Sequence, residues 1–259
     1  MSPWPYPRVL AHRGGGAFAP ENTIAAIRIG RERGYHAVEF DVTLSADGEP
    51  VLMHDPTLDR TTGATGPVAA RSWAELARLD AGSWFSSEFA GERIPHLAEV
   101  IDFCRAHQVW INAEIKPASG MERQTGETVA RVLARGFADR MPRTIDGAGR
   151  PDPQLPLLSS FSREALAAAL AAAPDLPRGL LCGRIPRNWR DPLGELQCAS
   201  LHADQRYLDA EAIGALHGDG YWVFAYTVND RRRALRLAQC GIDALCTDRL
   251  DRIEPGLLD

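Results

Sequence analysis

Four short apolar runs in this 259-residue chain carry ionisable residues at or near their C-terminal ends. RVLAH (8–12) leads into His12-Arg13, and AVEFDVTL (37–44) holds Glu39 and Asp41. PVLMHD (50–55) ends in His54-Asp55, and WINAEIKP (110–117) holds Glu114 and Lys116. Fully buried strands are almost wholly apolar, so charge here calls for a reason. Glu39 and Asp41 lie two apart, so on a strand both face the same side. Carboxylates so close repel, and one takes up a proton unless a cation sits between them. Glu114, from the run at 110–117, could complete a three-carboxylate set. Oxygen-only ligands favour a hard cation, Mg2+ or Ca2+, over zinc. The same acids could instead pair with arginines in a buried ion network, and spacing alone does not separate the two readings.

His12 and His54 are the second pair. Histidine titrates near neutrality and is the usual general acid or base, and two at strand ends on the acidic face suit proton transfer. Of the remaining histidines, only His202 stands at the end of an apolar run and joins the candidates. Arg13 and Lys116 bring positive charge for an anion. Gly14, Gly15 and Gly16 lead to a helix start whose backbone N–H groups could meet an anion, or they simply form a tight turn. The stretch is not a P-loop, because the lysine and hydroxyl are missing. Lys116 is the only lysine beside 28 arginines. A compact ammonium fits beside a metal-bound phosphate where a forked, planar guanidinium does not. A cation, two acid–base histidines, and Arg plus Lys for an anion together fit cleavage of a phosphate ester.

These residues need elements to position them. Eight β-rich runs (8–12, 37–44, 109–115, 156–161, 178–182, 199–203, 221–228 and 243–247) alternate with helical patterns such as 22–34, 97–107 and 123–135. Residues 50–55 read as a hairpin partner of 37–44 across SADGE. Repeated strand–helix units imply a parallel sheet, and eight of them imply an α/β fold closed into a (β/α)8 TIM-type barrel, with an open doubly wound sheet as the alternative. The C-terminal strand ends of a barrel converge on one face, which would gather the ionisable residues. Asn22 or Thr23 caps the first helix and Gly34 stops it. Residues 56–96 are too long for an ordinary loop and read as a small insertion, while 141–155 reads as an exposed excursion. No linker or repeat splits the chain, so 1–259 is expected to form one domain.

A net charge of −5 and a pI near 5.8 argue against a partner made of nucleic acid or anionic membrane. Five cysteines without a CxxC pair suit buried free thiols, and no apolar stretch has the length of a signal peptide or membrane span. The expected location is cytoplasmic; the oligomeric state is left open.

AHRGGGAFAPENT, EFDVTLSADGEPVLMHD and EIKP resemble the three defining motifs of the glycerophosphodiester phosphodiesterases. The likeness continues in order through LDRTT, LDAGSWF, IPHLAEV, LLSSF, YTVN and GIDALCTDRLD, and is strongest to the short cytosolic bacterial enzymes. It implies a TIM-type barrel with a small insertion after the second strand. It also implies hydrolysis of small-molecule glycerophosphodiesters, such as glycerophosphocholine or glycerophosphoethanolamine, to sn-glycerol 3-phosphate and an alcohol. Under it, His12 and His54 are the acid–base pair, Glu39, Asp41 and Glu114 hold the divalent cation, and Arg13 and Lys116 contact phosphate. Tyr226 stands where many relatives have tryptophan, which leaves the alcohol pocket undefined. Phe18, Trp84, Phe85, Phe161 and Trp222, with His202 and Tyr226, are candidate pocket walls; the aromatics fit a core position equally well. Two other readings compete. One is a Schiff-base lyase using Lys116, which leaves the acids and histidines without a role. The other is a barrel that binds glycerophosphodiesters without turning them over.

Overall fold

The computed structural model describes residues 3–140 and 154–259, so most of the 141–155 excursion lies outside the described residues. In chain order the strands are β1 (Val9–His12), β2 (Ala37–Leu44), β3 (Pro50–Leu52), β4 (Trp110–Ile115), β5 (Leu157–Ser160), β6 (Arg178–Cys182), β7 (Ser200–Asp204), β8 (Trp222–Tyr226) and β9 (Ala244–Thr247). β1 pairs in parallel with both β2 and β9, so the sheet closes on itself and the open doubly wound alternative is excluded. Eight parallel strands form the barrel. β3 lies outside it, antiparallel to β2, with Val42 opposite Leu52.

The main helices are α1 (Ile24–Glu32), α2 (Trp73–Leu76), α3 (Leu97–Ala106), α4 (Glu122–Gly136), α5 (Arg163–Ala172), α6 (Arg190–Glu195), α7 (Ala210–Gly218) and α8 (Arg231–Gln239). All but α2, which lies in the 56–96 segment, cover the outer barrel face. Thr23, not Asn22, caps α1 by accepting from the Ala26 amide, and Gly34 ends it at φ +90°, a conformation glycine adopts without strain.

All eight residues of β2 are buried because both of its faces are covered. Val38, Phe40 and Val42 point outward to α1, α3 and α4, leaving Glu39 and Asp41 pointing into the barrel. The lower interior is apolar: Leu10, Ala37, Trp110, Leu157, Trp222 and Phe224 pack around Trp4 and Tyr6 of the N-terminal segment. Tyr6 stacks on Trp110 at 4.2 Å, and Trp4 meets Trp222 edge-on at 5.4 Å. The prolines of WPYP thus lead a plug into the barrel's lower mouth. The segment 56–96 carries α2 and has a small core of its own, in which Leu58, Val68, Leu76, Ala81 and Ile94 join Val51 and Met53.

Candidate active site

Register brings the acids together. Asp41 of β2 lies opposite Glu114 of β4, so Glu39, Asp41 and Glu114 project into the barrel from adjacent strands. One carboxylate oxygen from each falls within 4.8 Å of the others. Burial, and after it repulsion from Asp41, raises Glu39 to about 7 and Glu114 to about 8, far above the usual carboxylate range. Asn22 holds Asp41 from both sides: its amide nitrogen donates to Asp41 Oδ2 at 2.9 Å and its oxygen accepts from the Asp41 N–H at 3.0 Å. That explains why Asn22 sits at φ +59° in the turn before α1 instead of capping the helix. Lys116 Nζ lies 3.4 Å from Glu114 and 3.8 Å from Asp41, and Arg13 Nε lies 3.5 Å from Asp41. Two cations thus face three carboxylates, so the cluster with all three ionised would carry one negative charge in excess. The donor set fits a hard divalent cation: all ligand atoms are oxygens, and a cation would relieve the repulsion that raises Glu39 and Glu114.

Both histidines are oriented by a carboxylate on Nδ1. His12 Nδ1 lies 2.6 Å from Asp248 Oδ1, and Asp248 is itself held by Asn229, whose Nδ2 donates to Oδ2 at 2.8 Å. His54 Nδ1 lies 2.6 Å from Asp55 Oδ1. With Nδ1 engaged, Nε2 is the working atom of each ring, and His12 Nε2 stands 3.7 Å from Glu39. Burial works against the charged form of His12, yet the Asp248 hydrogen bond and the Glu39 charge outweigh it and raise its pKa. At His54 burial prevails over the pull of Asp41 and lowers the pKa.

Asp248 reaches His12 because β1 and β9 are neighbours and the loops after them pack tightly. Gly16 has φ +53°, and a Cβ there would lie 2.4 Å from the Asp248 carbonyl oxygen. The Ala17 amide donates to that oxygen and the Phe18 amide to Gly15. The glycine run therefore serves the turn, and at the start of α1 the Ala25 and Ala26 amides are taken by Glu92 Oε1 and Thr23 Oγ1.

His12, Arg13, Glu39, Asp41, His54, Glu114 and Lys116 all line one cavity of about 270 Å3 at the C-terminal ends of the strands. Phe161 and Tyr226 stand beside it, edge to face at 5.9 Å, with Phe161 half exposed. His202 also lines it, but as a buried wall: the ring stacks on Phe224 at 4.6 Å, bonds Ser200 Oγ, and is kept neutral by burial, its pKa lowered to about 3. Asn112 and Ser159, which the sequence reading passed over, line it as well.

Four expected pocket residues lie elsewhere. Trp222 faces the interior, but it is the first residue of β8 and belongs to the plug around Trp4. Tyr226, four residues on and about 13 Å along the strand, is the one that reaches the cavity. Phe18 packs on the outer core with Arg33 over its ring at 3.9 Å. Trp84 and Phe85 lie in the insertion and do not line the cavity either. The orienting roles of Asp248, Asp55 and Asn22 escaped sequence reasoning, although each lies in a stretch that carried the family likeness: CTDRLD, LMHD and PENT.

The model of the glycerophosphoryl diester phosphodiesterase family matches residues 12–252. A glycerophosphodiester phosphodiesterase of Caldanaerobacter subterraneus is 34% identical over 242 residues, 93% of this chain and 93% of that protein. Among solved structures, an Oleispira antarctica phosphodiesterase in complex with the product sn-glycerol-3-phosphate is 36% identical, with a TM-score of 0.86 over 98% of this chain and 97% of that one. The glycerophosphodiester phosphodiesterase of Thermotoga maritima is 26% identical, with a TM-score of 0.70 over 94% and 95% of the two chains.

Proposed function

The chain belongs to the glycerophosphoryl diester phosphodiesterase family and is a phosphoric diester hydrolase, and from that premise we propose that it hydrolyses glycerophosphodiesters to sn-glycerol 3-phosphate and an alcohol with a divalent cation at Glu39, Asp41 and Glu114. The observation that carries the reading is the meeting, in one cavity, of a three-carboxylate cluster with two histidines whose Nδ1 atoms are already taken by carboxylates. Its likeness to a phosphodiesterase seen with sn-glycerol-3-phosphate supports the product assignment.

Arg13 and Lys116 orient the diester and offset charge on its phosphoryl oxygens. One histidine takes the proton of the attacking hydroxyl through Nε2, and the other gives a proton to the departing alkoxide as the phosphorus–oxygen bond breaks. The attacking oxygen belongs either to water or to the 2-hydroxyl of the glycerol; the second route forms a cyclic phosphate that water then opens. Asp248 and Asp55 keep the two rings turned so that Nε2 meets the substrate. Mg2+ or Ca2+, when bound, supplies Lewis-acid polarisation of a phosphoryl oxygen. The lyase reading loses support, since it leaves both histidines without a role and Lys116 Nζ is engaged by two of the carboxylates. We place the enzyme in the cytoplasm on its thiol content; all five cysteines are free, and no helix among the described residues is long and apolar enough to cross a membrane.

The test is release of glycerol 3-phosphate from glycerophosphocholine with Mg2+, Ca2+ or EDTA. Release with a metal and none in EDTA is expected. Full activity in EDTA would overturn the metal assignment. Binding of the diester without release under any metal condition would favour the non-catalytic barrel. His12→Ala and His54→Ala should stay folded and each lose about 10²-fold or more in kcat, and wild-type rates in either would remove that residue from the mechanism.

A further inference from the structure

We propose that Arg60, in the insertion, is a positioning residue that ties His54 to the phosphate-binding Arg13. Its Nε donates to Asp55 Oδ2 at 2.6 Å, and Asp55 Oδ1 holds His54 Nδ1 at 2.6 Å. Its Nη1 and Nη2 donate to the two oxygens of Glu21 at 2.6 and 2.7 Å, and Glu21 Oε1 accepts from Arg13 Nη1 at 2.8 Å. An unbroken chain thus runs His54–Asp55–Arg60–Glu21–Arg13.

Among the described residues, the Asp55 side chain has no hydrogen bonds other than those with His54 and Arg60. Ladder pairing of β3 ends at Leu52, and the last backbone bond to β2 is Met53 N–H to Asp41 O, so His54 and Asp55 project beyond the sheet. Glu21 lies in the turn before α1, 39 residues from Arg60. A guanidinium is needed because three donors must diverge to two carboxylates in fixed geometry, which one ammonium does not do. A purely stabilising role is the competing account. The Arg60 side chain is 43% exposed, and ion pairs so placed add little to stability. Held geometry is what such a chain contributes most, since a small misplacement of reacting groups costs about 10²-fold in rate.

The inference rests on the acid–base role proposed for His54, so its test includes a readout that does not require turnover. Arg60→Ala and Arg60→Lys are compared with wild type on glycerophosphocholine, with melting curves and with imidazole N–H proton NMR. Arg60→Ala should melt like wild type and bind Mg2+ or Ca2+ as wild type does, since Arg60 touches none of the three carboxylate ligands. Its kcat should fall by about 10²-fold, with a smaller rise in KM. Millimolar guanidinium should restore part of that activity, and Arg60→Lys should stay impaired. The His54 Nδ1 proton should shift or broaden while that of His12 stays in place. A kcat within about threefold of wild type would overturn the proposal. So would an unchanged His54 resonance, or a loss that tracks melting temperature and does not respond to guanidinium. A wild type that releases no product would count against the functional reading alone, and the His54 resonance would still decide the positioning role.

Discussion

At Lys116 the question is why one ammonium survives in an arginine-rich chain. Its Nζ sits 3.4 Å from Glu114 and 3.8 Å from Asp41, within the layer of the three carboxylates. A guanidinium there would carry the same charge on a longer, planar group and would push into the space proposed for the phosphate. Lys116→Arg is therefore expected to melt like wild type and to lose at least about 10-fold in kcat/KM; near-full activity would make the lone lysine a compositional accident. Asp248 poses the complementary question. An amide in its place can present N–H to His12 Nδ1 and stabilise the wrong tautomer. Asp248→Asn should fold but lose roughly 10²-fold or more in kcat, and an unchanged kcat would show that His12 does not need its partner.

Elements decide which end of the barrel a residue serves. Trp222, Phe224 and Tyr226 share the inward face of β8, yet only the later positions border the cavity. Trp222→Ala should thus cost about 3–5 kcal/mol of stability and leave KM for glycerophosphocholine unchanged; a raised KM would return Trp222 to the substrate wall. The loop after β1 is the opposite case, because it is structural in form and functional in effect. At Gly16 a Cβ would strike the Asp248 carbonyl, and the residue already has φ +53°. Gly16→Ala should cost about 1–3 kcal/mol and also reduce kcat by loosening the His12–Asp248 contact. A loss of stability with kcat intact would separate the turn from the chemistry.

The whole molecule carries an electrostatic cost at its three-carboxylate cluster. A carboxyl whose folded pKa lies above its unfolded value is neutral in its effect while both states keep the proton. It destabilises the fold as pH rises from about 4–5 towards the folded value, because only the unfolded state then sheds the proton freely. Glu39 at about 7 and Glu114 at about 8 place that window between roughly pH 5 and pH 8 in the metal-free protein. Glu114→Gln should therefore stabilise the metal-free protein more at pH 8 than at pH 5, by a difference on the order of 2 kcal/mol, and should weaken Mg2+ or Ca2+ binding. Thermal melting in EDTA at the two pH values checks this, and a gain that is equal at both would mean that neither burial nor repulsion raises the Glu114 carboxyl. For wild type at pH 8, metal at about 100 times its Kd should raise stability by about 2.7 kcal/mol.

Local sequence carried a good deal of this protein. Alternation within AVEFDVTL put Glu39 and Asp41 on one face, repeated strand–helix units implied the barrel, and the motifs around His12, His54 and Glu114 pointed to the family. Such features are legible because side-chain direction and helix capping depend on near neighbours. Other features depended on barrel closure. His12 meets Asp248, 236 residues away, only because β1 lies beside β9. Arg60 finds Glu21 only because the insertion folds back onto the turn before α1. Likewise, period-two spacing marks Trp222 as inward-facing but cannot say how far along the barrel it lies, nor that Trp4 fills the space beside it. Sequence determined which residues could act and on which face they lie; tertiary structure decided their partners and depth, because contacts across a closed barrel join residues whose sequence separation carries no periodic signal.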